Sequence, residues 1–119
     1  MRAPHWARFR RVGHSGHQAD SVSSALSDVD IGGWTQRFDL LSDPNRLEIL
    51  LALHRVPGIC VGDLAEAVGR SENAVSQALR VLRQQGWVSS TRVGRRVQYQ
   101  LDDQTVHRLL HWIGAAHSS

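Results

Sequence analysis

Apolar residues recur at helical spacing along most of this chain, and the interruptions mark where one element ends and the next begins. The first twenty residues, "MRAPHWARFRRVGHSGHQAD", carry no such period. Rich in Arg, His and Gly, they read as a flexible arm, 1–20, ahead of a folded domain over 21–119. From Val22 the apolar positions 22, 26, 29, 34, 38 and 41 fall roughly on one face, interrupted at Gly32-Gly33. That pattern predicts two short helices or one broken helix. The segment "SDPNRLEILLALHRVPG" begins more cleanly. Asp43 is placed to cap, Pro44 takes the first helical position, Leu47, Leu50, Leu51 and Leu53 make an apolar face, and Pro57-Gly58 ends the run.

After a short extended piece around Cys60, "VGDLAEAVG" predicts a compact helix stopped by Gly69. A turn leads to "SENAVSQALRVLRQQG", with Ser71 as N-cap, Val75, Leu79 and Leu82 facing inward, and Gly86 as the stop. Helix, tight turn, helix is the helix-turn-helix layout. "WVSSTRVGRRVQYQL" then alternates about Val93-Gly94 as a β-hairpin does, and "DQTVHRLLHWIGAAH" returns to helical spacing through Val106, Leu109, Leu110 and Ile113. No internal repeat is present. The order predicts a winged helix-turn-helix: a mainly α fold with a small β-hairpin wing, of the α+β kind. The last helix, Val106 to Ile113, is too apolar for a bare surface on so small a domain, which predicts a homodimer built on the first and last helices.

Composition narrows the classes without changing this outline. A chain of 119 residues with 41% hydrophobic and 21% charged residues suits one small soluble domain. All 14 basic residues are arginine, and the net charge of +3 is unevenly spread. Arg2, Arg8, Arg10 and Arg11 crowd the N-terminus, while Arg92, Arg95 and Arg96 crowd the hairpin. Such clusters suit a polyanion better than the net charge implies. A single cysteine excludes an internal disulfide and fits a reducing cytoplasm. No apolar run approaches the ~18 residues of a membrane span. No hydrophobic stretch follows the basic N-terminus, so neither a signal peptide nor a membrane partner is expected. There is no nucleophile–base signature and no phosphate loop, so an enzyme is not expected either.

The second helix of the helix-turn-helix would enter the major groove of double-stranded DNA. Asn73, Ser76, Gln77 and Arg80 project away from its apolar face, and Gln77 and Arg80 can make bidentate contacts with adenine and guanine edges. Arg92, Arg95 and Arg96 flank the Gly94 turn, within reach of phosphates or the minor groove. Positions 95 and 96 alternate faces on a strand, so at most one would point straight at DNA. An ordinary solvated helix face and a solubilising hairpin are the bland alternatives. The layout together with the wing arginines favours DNA over both.

A second chemistry is written around the thiol. Cys60 and Asp63 stand three apart at a helix start, so one turn can present both on one side. His14 and His17 are also three apart, in the arm. Together they offer two imidazoles, a thiolate and a carboxylate, a donor set for Zn²⁺, Cd²⁺ or a softer ion. Each also has a plainer reading: Cys60 as a small buried hydrophobe, Asp63 as a carboxylate favoured by the helix dipole, the histidines as solvated arm residues.

Three segments, "LSDPNRLEILLAL" (41–53), "CVGDLAEAVGRSENAVSQALRVLRQQGWV" (60–88) and "GRRVQYQLDD" (94–103), occur in the order seen in a known family. In them the chain resembles the ArsR/SmtB family of metal-responsive bacterial repressors. The resemblance implies a homodimeric winged-helix repressor that leaves its operator when an effector binds, the effector being a metal ion in many members though not all. Some members ligate metal with N-terminal Cys or His residues joined to a thiolate and an acid at the start of the helix before the recognition helix. Cys60 and Asp63 in "CVGDLA" match that pair; His14 and His17 match the arm, with histidine where cysteine is common. In many such members the pair meets the arm of the opposite subunit.

A second family site lies across the last helices of the dimer. Here Asp103 remains, but Thr105 stands where a histidine is expected, and the later ligand positions fall at Ala116 and Ser119, so that site looks dismantled. His107 and His111, at i and i+4 with His117 beyond, can chelate, although a helix-surface or dimer-packing role fits them better. His5 and His54 have no partner at useful spacing. Trp6, Trp34, Trp87 and Trp112 are too dispersed for an aromatic cage, and Trp87 and Trp112 are expected in the core or a dimer contact. The leading expectation is therefore a repressor with a divalent metal effector, Zn²⁺ or Cd²⁺. The competing one is a winged-helix repressor with a non-metal effector, such as a redox sensor built on Cys60. One thiol per chain limits that sensor to an intersubunit disulfide or a sulfenic acid.

Overall fold

In the computed structural model, which describes residues 16–114, two helices come first: α1 (Gly16–Ser27) and α2 (Ile31–Leu41). The chain divides into two units, Met1–Gln36 and Arg37–Ser119, with the boundary inside α2. Residues 16–20, part of the segment expected as an arm, are helical, and residues 1–15 lie outside the described residues. Of His17 to Ser27 only Leu26 is even partly buried within the chain. The interruption between the helices falls at Asp28–Asp30 and not at Gly32-Gly33. The reason is a cap: Asp30 Oδ1 accepts the Gly33 N–H at 3.1 Å, and the Asp30 carbonyl accepts the Trp34 N–H at 3.0 Å. A side-chain acceptor at a helix start outweighs the poor helix propensity of two glycines in the first turn.

The second unit starts with the last turn of α2, where Leu40 is buried. Helix α3 (Pro44–Arg55) begins as its sequence predicts, with Asp43 accepting the Arg46 N–H at 3.0 Å and proline in the first turn. Arg46 then reaches back: its Nε donates to the Leu40 carbonyl at 2.9 Å and a terminal nitrogen to the Asp39 carbonyl at 3.4 Å. The Asp39 carbonyl also accepts from the Ser42 N–H at 3.3 Å and the Ser42 hydroxyl at 2.7 Å, so the cation serves mainly the Leu40 carbonyl and the negative end of the helix. Arg46→Ala is expected to cost about 1–2 kcal/mol, the usual range for losing charge-assisted hydrogen bonds at a half-buried site. The measurement is a lower urea midpoint at unchanged slope. An unaltered midpoint would mean that water serves those carbonyls equally well.

Strand β1 (Ile59–Cys60) follows, then α4 (Val61–Val68), α5 (Glu72–Gln84), β2 (Val88–Val93), β3 (Arg96–Leu101) and α6 (Gln104–Gly114). The fold is the expected winged helix-turn-helix, mainly α with a small sheet. The hairpin β2–β3 is joined by β1 to give an antiparallel sheet of order β1-β3-β2, in which Ile59 pairs with Tyr99 and Cys60 with Gln98. Beneath it Ile49, Leu50, Leu53, Leu64, Val75, Leu79, Leu82, Val106 and Leu110 are fully buried. Helix α3 touches α4, α5, α6 and β3. That central place explains why Ile49 is fully buried while Leu47 and Leu51, expected on the inner face, are only half-buried at the core edge. Trp87 is buried, but Trp112 is 82% exposed and so lies outside the core.

Candidate nucleic-acid interface and effector residues

Helix α4 ends at Gly69, whose φ of +68° is open to glycine at little cost, and its N–H returns to the carbonyls of Ala65 and Glu66. Two residues later Ser71 starts α5, its hydroxyl accepting the Ala74 N–H at 3.1 Å. The helix is held from inside by Val75, Ala78, Leu79 and Leu82, all buried. This leaves Asn73, Ser76, Gln77 and Arg80 exposed, spaced as one stripe on the outer surface. The stripe continues past the residues anticipated. Arg83 is exposed three positions after Arg80, and Arg80, Arg83, Gln84, Val88, Ser89 and Ser90 line an open groove of about 550 Å³ between α5 and β2. Arg83 was findable from sequence as the next basic residue on the same helical face; Ser89 and Ser90 were not, since only packing places β2 beside α5.

The wing closes tightly. Val93 pairs with Arg96, leaving a two-residue loop whose first residue, Gly94, has φ of +63°, as a type II′ hairpin turn requires. Arg95 therefore sits in the turn and not on a strand, so strand alternation does not divide it from Arg96. Arg92, Arg95 and Arg96 are all exposed. At the base, the Ser89 hydroxyl donates to Asp102 Oδ1 at 3.0 Å and the Asp102 N–H to the Trp87 carbonyl at 2.9 Å, tying the hairpin to the domain.

Cys60 is the residue before α4, in extended conformation, with its thiol making no cap hydrogen bond. It is half-buried and fixed opposite Gln98 in the sheet, outside the fully buried core. Asp63 is exposed in the first turn of α4. An N-cap residue and the third helical residue lie on the same side of a helix start, so thiol and carboxylate are offered together. That fits half of a four-donor set. His17 is exposed in α1, in the first unit, while Cys60 and Asp63 belong to the second; His14 lies outside the described residues. Among the described residues, no group of three or more His, Cys, Asp or Glu side chains is placed so that it could hold a metal ion.

In the last helix, Asp103 serves the fold: its Oδ1 accepts the Val106 N–H at 2.9 Å and so caps α6. Ala116, His117 and Ser119 lie outside the described residues. One expectation is corrected. His54, without a partner along the sequence, lies near the end of α3 with its ring centre 4.7 Å from that of His107 and 5.7 Å from that of His111, both on α6. Its pKa is pushed below the usual histidine value, first by burial, then by His107, His111 and Arg55.

Comparison with known proteins completes the picture. The profile of the arsR family of bacterial regulatory proteins matches residues 43–90. Over 72 residues the chain is 50% identical to the "Transcriptional repressor SmtB homolog" of Synechocystis sp., a match covering 60% of this chain and 54%, about half, of that protein. It is 38% identical over 99 residues to the "HTH-type transcriptional regulator NmtR" of Mycobacterium tuberculosis, covering 83% of this chain and 82% of that protein. Among solved structures, the AntR antimony-specific transcriptional repressor superposes with a TM-score of 0.65 at 34% identity, over 77% of this chain and 88% of that one.

Proposed function

Because the chain belongs to the ArsR family of bacterial regulatory proteins, we propose that it is a metal-responsive repressor, binding operator DNA as a homodimer and leaving it when the metal binds. Its relatives are transcriptional regulators, and it is a regulator and not an enzyme. The observation that carries the DNA reading is the exposed row Asn73, Ser76, Gln77 and Arg80 on a capped α5, flanked by a wing with Arg92, Arg95 and Arg96 uncovered at its tip. In this reading α5 enters the major groove, Gln77 and Arg80 read base edges, and the wing arginines bind phosphate.

Dimerisation is supported by the apolar side chains each unit exposes: Val22, Val29 and Ile31 in the first, Trp112 and Ile113 in the second. For the effector we assign Cys60 and Asp63 as thiolate and carboxylate donors, joined by His14 and His17. Donors of this kind suit Zn²⁺ or Cd²⁺, and the antimony-specific relative supports a thiophilic effector class. When bound, the ion supplies only charge and fixed geometry; the thiol and carboxylate hold it at the start of the helix that packs on α5.

The test is fluorescence-anisotropy titration of the full chain on DNA from upstream of its own gene, with Zn²⁺, Cd²⁺, Co²⁺ and Ni²⁺ added in turn, beside sedimentation at micromolar concentration. A dimer that binds and is released by a metal supports the proposal. Release by peroxide alone would transfer it to the redox reading of Cys60. A monomer, or no preference for that DNA, would overturn it.

A further inference from the structure

We infer that His54, His107 and His111 form a second, all-imidazole metal site, joining α3 to α6 within one chain and taking a borderline divalent cation such as Zn²⁺ or Co²⁺. The inference stands apart from the Cys60 site, with which it shares no residue.

Three observations carry it. The first is spacing. Two imidazoles on one ion, each at about 2.0–2.1 Å from metal to nitrogen, hold their ring centres roughly 4.5–5.5 Å apart. The observed 4.7 Å lies inside that range and the 5.7 Å just beyond it. The second is the frame beneath the rings. Each histidine directly follows a core residue of 0–1% exposure: Leu53 before His54, Val106 before His107 and Leu110 before His111. Packing therefore fixes the three backbone positions relative to one another, because α3 and α6 share that core. The third is freedom at the tips. His107 and His111 are exposed on one face of α6 at the i, i+4 spacing that lets two imidazoles chelate, and His54 faces them from the neighbouring helix.

As the rings stand, tilted at 57° to His54, the trio is not placed to hold a metal ion. Closing it takes rotation about the side-chain bonds of His107 and His111, both exposed, from one staggered position to another. The donor chemistry sets the ligand class. Three imidazoles with no thiolate suit Zn²⁺, Co²⁺, Ni²⁺ or Cu²⁺ over thiophilic ions, with water completing the sphere. Exposed Arg55 beside His54 opposes a cation, an effect that solvent and salt screen. A bound ion would staple the end of α3 to α6 and stabilise the folded chain by mass action.

The experiment uses the full chain carrying Cys60→Ser, His14→Ala and His17→Ala, titrated with Co²⁺ and, separately, Zn²⁺. The expected result is one Co²⁺ per chain with visible ligand-field bands and no sulfur charge-transfer band, and a Zn²⁺-dependent rise in melting temperature. Adding His54→Ala or His107→Ala should weaken Co²⁺ binding at least about tenfold, since even outer partners of a metal ligand are worth that much. The same changes should remove the Zn²⁺-dependent rise in melting while leaving the metal-free circular dichroism spectrum unchanged. His54→Gln, closer in size and polarity, guards against a packing artefact and should weaken binding equally. No Co²⁺ binding in the triple variant, or binding that survives loss of His54 and His107, would overturn the site. Failure of the Cys60 assignment reads differently: the unmodified chain would lack the charge-transfer band while the histidine-dependent bands persisted.

Discussion

Alanine at Gln77 or Arg80 is expected to weaken operator binding by about 1–3 kcal/mol each, roughly five- to 150-fold, while affinity for random DNA changes far less. The asymmetry follows from what the two side chains do in the proposed complex. A base-edge contact exists only on the right sequence, so its loss is felt only there. Both residues are exposed and alanine is the best helix former, so α5, anchored by Val75, Leu79 and Leu82, should persist unchanged. The wing provides the contrast. Arg95→Ala with Arg96→Ala should weaken both kinds of DNA alike and lower the salt slope by up to about 2, one for each phosphate no longer neutralised. Anisotropy titrations on operator and random duplexes at several salt concentrations separate the two patterns. An equal loss on both duplexes for the α5 variants would remove α5 from the role of base reader.

The second large effect concerns the thiol. Cys60→Ser should abolish metal-driven release while leaving metal-free operator binding intact. Cys60 and Asp63 stand at the start of α4 and belong neither to the exposed row of α5 nor to the wing tip, so their loss subtracts none of the proposed DNA contacts. With Co²⁺ bound, the unmodified chain should show a sulfur-to-metal charge-transfer band, and Cys60→Ser should erase it because the thiolate is its source. His14→Ala with His17→Ala should weaken binding and alter the visible bands while keeping the sulfur band. Affinity at this site should fall as pH drops, because protons compete for thiolate and imidazole. Release that survives Cys60→Ser would show that the thiolate is not the sensor.

The features legible in advance share a physical character: each is encoded within a few residues. The start of α3 could be read from Asp43 and Pro44 because a cap and its acceptor are three positions apart. The same holds for Ser71 before α5, for Gly69 and Gly86 as stops, and for the wing turn at Gly94. The exposed face of α5 followed from helical period alone. Where two local signals competed, reading was less secure. Glycine pairs break helices on average, but Asp30 capped one at Gly33, and the interruption moved upstream.

What lay beyond reach was decided by which elements touch. The extended piece around Cys60 could be read, but not its place in a sheet, because two residues become a strand only when Tyr99 and Gln98 lie alongside to complete their hydrogen bonds. The inner faces of α3 could not be counted, since Ile49 is buried only because four other elements crowd that helix. His54 carried no signal for the same reason. Periodicity relates a residue to neighbours three and four positions away, whereas His107 and His111 reach His54 through the packing of α6 on α3. Local hydrogen bonding and side-chain period were thus settled by the chain's own order of residues. The meeting of distant imidazoles came from burial of Leu53, Val106 and Leu110 in a shared core, an outcome of the apolar surface of the whole domain leaving water together.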